Sequence, residues 1–137
     1  MRLLFDTNIM LDLFLSRQPW VVEATALWHA AQQGRCTGFV SGITPVNCFY
    51  VVRKAGGIPL ARQAVSAMLN VVQVCPVDNA VLQAALLLPM RDFEDAVQHA
   101  AAVANGLDAI VTRDPKGFQG ATLPILEPAA VLQQLGP

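Results

Sequence analysis

The sequence predicts an α/β fold: one domain built as a three-layer α/β/α sandwich around a central, mainly parallel sheet of four to five strands. Three observations lead there. Short apolar runs without polar alternation, such as Leu3-Leu4-Phe5 and Ala109-Ile110-Val111, suit strands covered on both faces, as parallel strands are. Longer stretches with apolar residues at helical spacing alternate with these runs along the whole chain, as strand–helix–strand crossovers require. No repeat, low-complexity tract or linker interrupts the sequence, so residues 1–137 read as a single domain. That length, at 54% hydrophobic and 14% charged residues, suffices for one core that hides roughly two-thirds of the unfolded chain's surface.

The first strand ends at Asp6, and an amphipathic helix carried by Ile9, Met10, Leu13 and Phe14 starts at once. Ser16 to Trp20, with Pro19, breaks it. Val22, Ala26, Leu27 and Ala30 keep helical spacing from Val21 to Gln33, and Gly34 supplies the usual stop. Thr37 to Ser41 reads as a short strand around Phe39 and Val40, closed by Gly42. Thr44-Pro45 opens a helix, with Thr as the cap and Pro at the first helical position. It passes Phe49, Tyr50 and Val52 to reach Arg53-Lys54, whose charges suit a C-terminal turn, and Gly56-Gly57 ends it. Ile58-Pro59 starts the next helix, through Leu60, Ala64, Met68 and Leu69. The β-branched stretch from Val71 to Pro76 reads as a strand. Asp78 caps a helix holding Val81, Leu82, Ala85 and Leu86, which Pro89 terminates. A helix from Asp92 through Ala104 follows, stopped by Asn105-Gly106. Beyond the strand at 109–111, Leu123 to Leu126 forms a last strand and Pro128 to Leu135 a closing helix.

Composition excludes several classes of protein. Cys36, Cys48 and Cys75 are odd in number and widely spaced, without the C-x-x-C or histidine neighbours of a zinc site. They read as small buried hydrophobes in a reducing compartment. His29 and His99 lie on helical patterns with no ligand spacing and read as ordinary helix residues. Trp20 and Trp28 read as packing anchors rather than base-stacking platforms. Asp6 and Asp12 interrupt the N-terminal apolar stretch before a signal-peptide core forms, and no apolar segment has the length of a membrane span. The expected location is cytoplasmic, with no membrane partner. A net charge of −1 argues against a globally basic nucleic-acid binder and leaves a local patch as the route to such a partner. So few charges also predict an exposed apolar patch that takes a partner.

The chemistry lies in the acids. Asp6 and Asp114 follow apolar strands at their carboxyl ends, and Asp95 lies in the first turn of the helix leading to the strand that carries Asp114. In a parallel sheet, strand carboxyl ends and the following helix N-termini share one edge, which brings the three within reach of one another. Each also has a plain structural reading: Asp6 as a helix cap, Asp95 with Asp92 and Glu94 as acids favoured by the helix dipole, Asp114 before Pro115 as a turn residue. Converging carboxylates repel, and the usual remedy is a hard divalent cation, Mg²⁺ or Mn²⁺, on oxygen ligands. Such an ion acidifies a bound water and stabilises a phosphoryl oxygen during in-line attack, which is phosphodiester hydrolysis.

The same residues carry a family resemblance. Asp6-Thr7-Asn8 after a first strand, Asp92-Phe93-Glu94-Asp95-Ala96 opening a helix, and Thr112-Arg113-Asp114 followed by Gly117-Phe118 resemble the signature set of PIN domains. The best-populated bacterial branch of that family is the VapC-like toxins of toxin–antitoxin pairs. The resemblance extends from Arg2 to the final helix. It implies a metal-dependent ribonuclease on a small α/β/α sandwich, with Asp6, Asp95 and Asp114 as ligands of Mg²⁺ or Mn²⁺ and with Asn8 and Thr112 as supporting groups. It further implies RNA as substrate, an antitoxin protein as partner and a homodimer. No nucleophilic side chain is required, because the attacking group is water activated by the cation.

One position departs from the pattern. PIN nucleases usually carry a glutamate in the helix that here starts at Thr44-Pro45, and the matching residue is Asn47; the stretch Thr44 to Tyr50 is similar to a subgroup of small bacterial PIN proteins with Asn there. Asn47 offers a carbonyl oxygen but removes one negative charge, which lowers metal affinity and leaves Asp92 or Glu94 to make up the charge. Asn47 also fits a purely structural role, reaching back to the helix cap. For phosphate contacts the candidates are Arg91, Arg113 and Lys116, adjacent in sequence to the acids, with Arg53, Lys54 and Arg62 further away. Two rival functions stand beside the ribonuclease. One is a catalytically weak or inactive PIN-like binding module, suggested by Asn47. The other is a small metal-dependent phosphatase or nucleotide hydrolase, disfavoured because Asp6-Thr7-Asn8 lacks a second Asp two residues on and no phosphate-cradling Gly-rich loop is present.

Overall fold

In the computed structural model, which describes residues 1–137, Leu3, Leu4 and Phe5 are wholly buried in the first strand, β1 (Arg2–Phe5). Four more strands, β2 (Thr37–Ser41), β3 (Gln73–Cys75), β4 (Ala109–Val111) and β5 (Ile125–Leu126), complete a sheet of order β3-β2-β1-β4-β5. Every neighbouring pair is parallel. The helices are α1 (Thr7–Phe14), α2 (Val21–Gln32), α3 (Thr44–Gly56), α4 (Ile58–Val71), α5 (Asn79–Leu86), α6 (Phe93–Ala104) and α7 (Pro128–Leu135), with a 3₁₀ turn at Pro115–Phe118.

Alternation along the strands divides the core into two layers, because successive side chains point to opposite faces. Leu3, Phe5 and Val111 pack with Ile9, Leu27, Val52 and Met68 under α1, α2, α3, α4 and α7. Leu4 and Ile110 pack with Val81, Val97 and Ala101 under α5 and α6. Gly38 makes room for this sheet: a Cβ there would lie 2.7 Å from the Phe5 ring. The three-layer α/β/α sandwich expected from the sequence is the architecture found.

The strand order fixes where a crevice opens. From β1 the chain winds outward to β2 and β3, then crosses back to β4 and β5 on the other side. Such a switch point separates the loops that leave neighbouring strand ends. The register pairs Phe5 with Val111 and continues one step further, with the Asp6 N–H donating to the Val111 carbonyl at 3.0 Å. Asp6 and Thr112 therefore emerge side by side at the carboxyl edge of the sheet.

Three local expectations are corrected. The strand expected from Val71 to Pro76 is only Gln73–Cys75, because α4 runs through Val71 and the Val72 N–H still bonds back to the Met68 carbonyl at 3.0 Å. The last strand shrinks to Ile125–Leu126; Pro124 has no N–H to give the ladder and contributes only its carbonyl, which accepts from the Ile110 N–H at 3.0 Å. Thr44 is the first helical residue of α3 rather than its cap. Its hydroxyl bonds instead to the Thr7 hydroxyl at 2.9 Å and to Ser41 at 3.4 Å, tying α1, β2 and α3 together beneath the crevice. By contrast Asp78 does cap its helix, accepting from the Val81 N–H at 3.0 Å. The three cysteines are buried and free, and no helix is long and apolar enough to cross a membrane.

Candidate active site

A cleft of about 470 Å³ opens at the switch point, lined by Asp6, Asn8, Asn47, Asp92, Glu94, Asp95 and Asp114 among others. It gathers five carboxylates and no basic side chain. A second cleft of about 320 Å³, between α5 and α6, is mostly apolar and holds none of these residues.

Asp6 stands at the cap position of α1 but makes no capping bond. Its carboxylate is held from below: Thr112 Oγ1 donates to Oδ2 at 2.8 Å and Gln98 Nε2 donates to Oδ1 at 3.0 Å. The Thr112 hydroxyl in turn accepts from the Asp114 N–H at 3.0 Å, so one buried hydroxyl links the acids after β1 and β4. Asp92 does cap α6, its Oδ1 accepting from the Asp95 N–H at 3.1 Å. Its place in the cleft and its structural role coexist. The Asn47 side chain makes no capping bond in α3, so the cap reading of that residue is set aside; it lines the cleft.

Electrostatics single out Asp95. Burial first, then the neighbouring Asp6, Asp92, Glu94 and Asp114 charges, push its carboxyl up to about 7, as crowding of like charges in a desolvated site does. Behind it, burial and the Glu94 and Asp6 charges push the Cys48 thiol up to about 12, which removes it as a nucleophile at neutral pH.

The donor set fits a hard divalent cation. All candidate ligand atoms are oxygens of carboxylates and amides, the ligands Mg²⁺ and Mn²⁺ prefer. No three acidic, histidine or cysteine side chains close on one point as they stand; side-chain rotation within the cleft is needed to bring them to one ion. Space for that is kept by Gly117 in the 3₁₀ turn: a Cβ there would lie 2.6 Å from Asp95 Oδ2 and 4.0 Å from Asp114 Oδ2.

The basic candidates separate. Arg113 is engaged on the flank: Nε donates to Asp12 Oδ2 at 2.7 Å, and its guanidinium lies 4.0 Å from the centroid of the Trp20 ring. Arg17 approaches the same wholly buried Asp12 at 3.7 Å. Arg91 and Lys116 instead line a recess of about 140 Å³ together with Asp92 and Gly117, free of any ion pair. Trp28 is a core residue, edge-on to Phe14 at 5.6 Å.

Three buried polar residues escaped the sequence reading. Gln98 and Asp12 bind the site and its flank, while His99 is a buried acceptor rather than an ordinary helix residue: Nε2 accepts from the Thr122 N–H at 3.0 Å. Each carried a signal, a polar side chain inside an apolar helical run, as in Ala96-Val97-Gln98-His99-Ala100 and Met10-Leu11-Asp12-Leu13.

Comparison with known proteins agrees with this fold. A family model described as PIN domain matches residues 2–116. Among solved structures, VapBC2 from Rickettsia felis, bound to a DNA fragment from its promoter, superposes with a TM-score of 0.70 at 16% identity over 93% of this chain and 98% of that one. A toxin–antitoxin complex from Klebsiella pneumoniae gives 0.68 at 23% identity over 91% and 96%. VapC20 from Mycobacterium tuberculosis, a sarcin–ricin loop cleaving toxin, gives 0.65 at 19% identity over 79% and 86%. No curated protein matches by sequence.

Proposed function

Because the chain belongs to the PIN domain family, we propose that it is an endoribonuclease that hydrolyses RNA phosphodiester bonds with Mg²⁺ or Mn²⁺ in the acidic cleft. The observation that carries this reading is the gathering of Asp6, Asp95 and Asp114 in one cleft, with Asp95 pushed to about 7. A site that disfavours its own ionisation is one that a cation completes.

Asp6, Asp95 and Asp114 would hold the ion, with Asn47, Asn8, Asp92 and Glu94 around it. A bound divalent cation supplies the acidification of water and the neutralisation of a phosphoryl oxygen. The protein's own part is to orient. Thr112 fixes Asp6 and the Asp114 backbone relative to one another, and Gly117 leaves Asp95 free to face the cleft. RNA repelled by five carboxylates needs cations beside them, and Arg91 and Lys116, which line the recess beside Asp92, would contact the adjacent phosphates. Arg113, already paired with Asp12, acts by anchoring the Asp114 loop to α1.

The reading extends to a toxin held by an antitoxin protein, supported by structural likeness to three proteins from toxin–antitoxin systems. It extends also to a homodimer, supported by Val46, Tyr50 and Leu69 exposed on α3 and α4. Asn47 favours a second reading, an RNA-binding module without turnover. The test is Mn²⁺ binding by calorimetry at near-neutral pH. Binding by the wild type that is mostly lost in Asp114→Asn supports the cation site, and equal binding by both removes Asp114 from it.

A further inference from the structure

Gln98 is wholly buried in α6, one helical turn beyond Asp95, and its amide is engaged at both ends. The Thr7 N–H donates to Oε1 at 3.1 Å, while Nε2 donates to Asp6 Oδ1 at 3.0 Å and reaches Asp95 Oδ1 at 3.5 Å. These partners force the orientation. A backbone N–H requires an acceptor and carboxylates require a donor, so only one amide orientation serves both. The nitrogen carries two hydrogens, one available to each carboxylate.

This arrangement has two effects. It joins an acid on the strand-to-helix turn after β1 to an acid on α6 by a neutral group, offsetting their repulsion. It also sets the spacing between the two carboxylates. With Asp6 Oδ2 accepting from Thr112, each oxygen of Asp6 is held by its own donor.

We propose that Gln98 is a positioning residue: it bridges Asp6 and Asp95 and sets their separation before any ion arrives, so that both carboxylates meet the cation already oriented. This rests on the cation-dependent reading of the cleft.

The test is Mn²⁺ calorimetry with melting of the metal-free protein, on the wild type, Gln98→Met and Gln98→Glu. The wild type is expected to bind Mn²⁺. Gln98→Met keeps the volume and loses the donor; it should melt lower and bind Mn²⁺ at least tenfold more weakly. Gln98→Glu keeps the shape and adds a charge; it should also melt lower without metal, yet bind Mn²⁺ more tightly. Affinities moving in opposite directions while stabilities fall together is a pattern that a purely structural role does not produce. Should Gln98→Met fail to fold, Gln98→Asn, with its amide on a shorter stem, is expected to show the same weakened binding. Affinities that stay put or move together overturn the assignment of Gln98 alone. A wild type that binds no Mn²⁺ overturns the cation reading beneath it as well.

Discussion

Thr112 Oγ1 donates to Asp6 Oδ2 at 2.8 Å across 106 residues of sequence, and the parallel register of β1 and β4 makes that contact possible. Because the hydroxyl also accepts from the Asp114 N–H, its hydrogen is directed at the carboxylate. Thr112→Val keeps the shape and removes both bonds. Hydrogen bonds to charged groups contribute about 1.5–3 kcal/mol, so urea denaturation should show a loss of that order, with RNA cleavage falling at least tenfold. Thr112→Ser should restore most of both.

Gly117 is the second point of control. Gly117→Ala would place a methyl group 2.6 Å from Asp95 Oδ2, forcing the carboxylate to turn. The variant should fold, since the open side of the cleft can absorb the shift, but bind Mn²⁺ at least tenfold more weakly. Calorimetry against the wild type measures this directly.

Asp12 and Arg113 form the buried anchor of the loop that carries Asp114. Removing one partner of a buried pair costs about 3–5 kcal/mol. Arg113→Met, which leaves the wholly buried Asp12 with only Arg17 at 3.7 Å, should approach that range and Asp12→Ala fall below it, since the guanidinium left behind is partly exposed. A double-mutant cycle by thermal or urea unfolding should return a favourable coupling between the two; additive losses would show that they act separately.

As a ligand of the proposed cation, Asp95 should make its binding depend on pH. The unfolded chain gives up this proton near 3.8 and the folded chain near 7, so between those values the native state holds a proton the unfolded state lacks. Stability from this group therefore falls as pH rises through that window. A cation favours the carboxylate and reverses the preference. Mn²⁺ binding is expected to release close to one proton across that window, falling through pH 7 to little above it, as read by calorimetry in buffers of different ionisation enthalpy. Asp95→Asn should abolish the release.

His99 acts with the opposite sign. Burial lowers its pKa from 6.5, so the native state keeps the imidazole neutral while the unfolded chain takes up a proton. The stability it contributes is complete above the unfolded value and is lost as pH falls below it. His99→Gln, which retains an acceptor for the Thr122 N–H but does not titrate, should flatten the acid limb of a stability-against-pH curve.

The fold was legible because its signals are local. Apolar runs at Leu3–Phe5 and Ala109–Val111, glycine stops at Gly34 and Gly57, and the Asp78 cap each specify an element from a few neighbours. The edges were less so: whether Val71 ends a helix or begins a strand depends on the Met68 carbonyl and the neighbouring core, not on β-branching. At the site, Asp6, Asp95 and Asp114 were legible as acids at element boundaries on one sheet edge. Gln98, Asp12 and the buried side of Thr44 were not, because their partners lie 92, 101 and 37 residues away. A lone polar residue in an apolar helix announces a buried bond without naming its partner.

The most direct test of the account is RNA cleavage by the purified protein, with and without Mn²⁺, beside Asp6→Asn of verified folding. Cleavage that requires the ion, stops with chelator and falls by two or more orders of magnitude in Asp6→Asn is the predicted result. RNA bound without turnover in the presence of Mn²⁺, or cleavage undiminished in Asp6→Asn, would contradict it; the first outcome would make Asn47 the mark of a binding module.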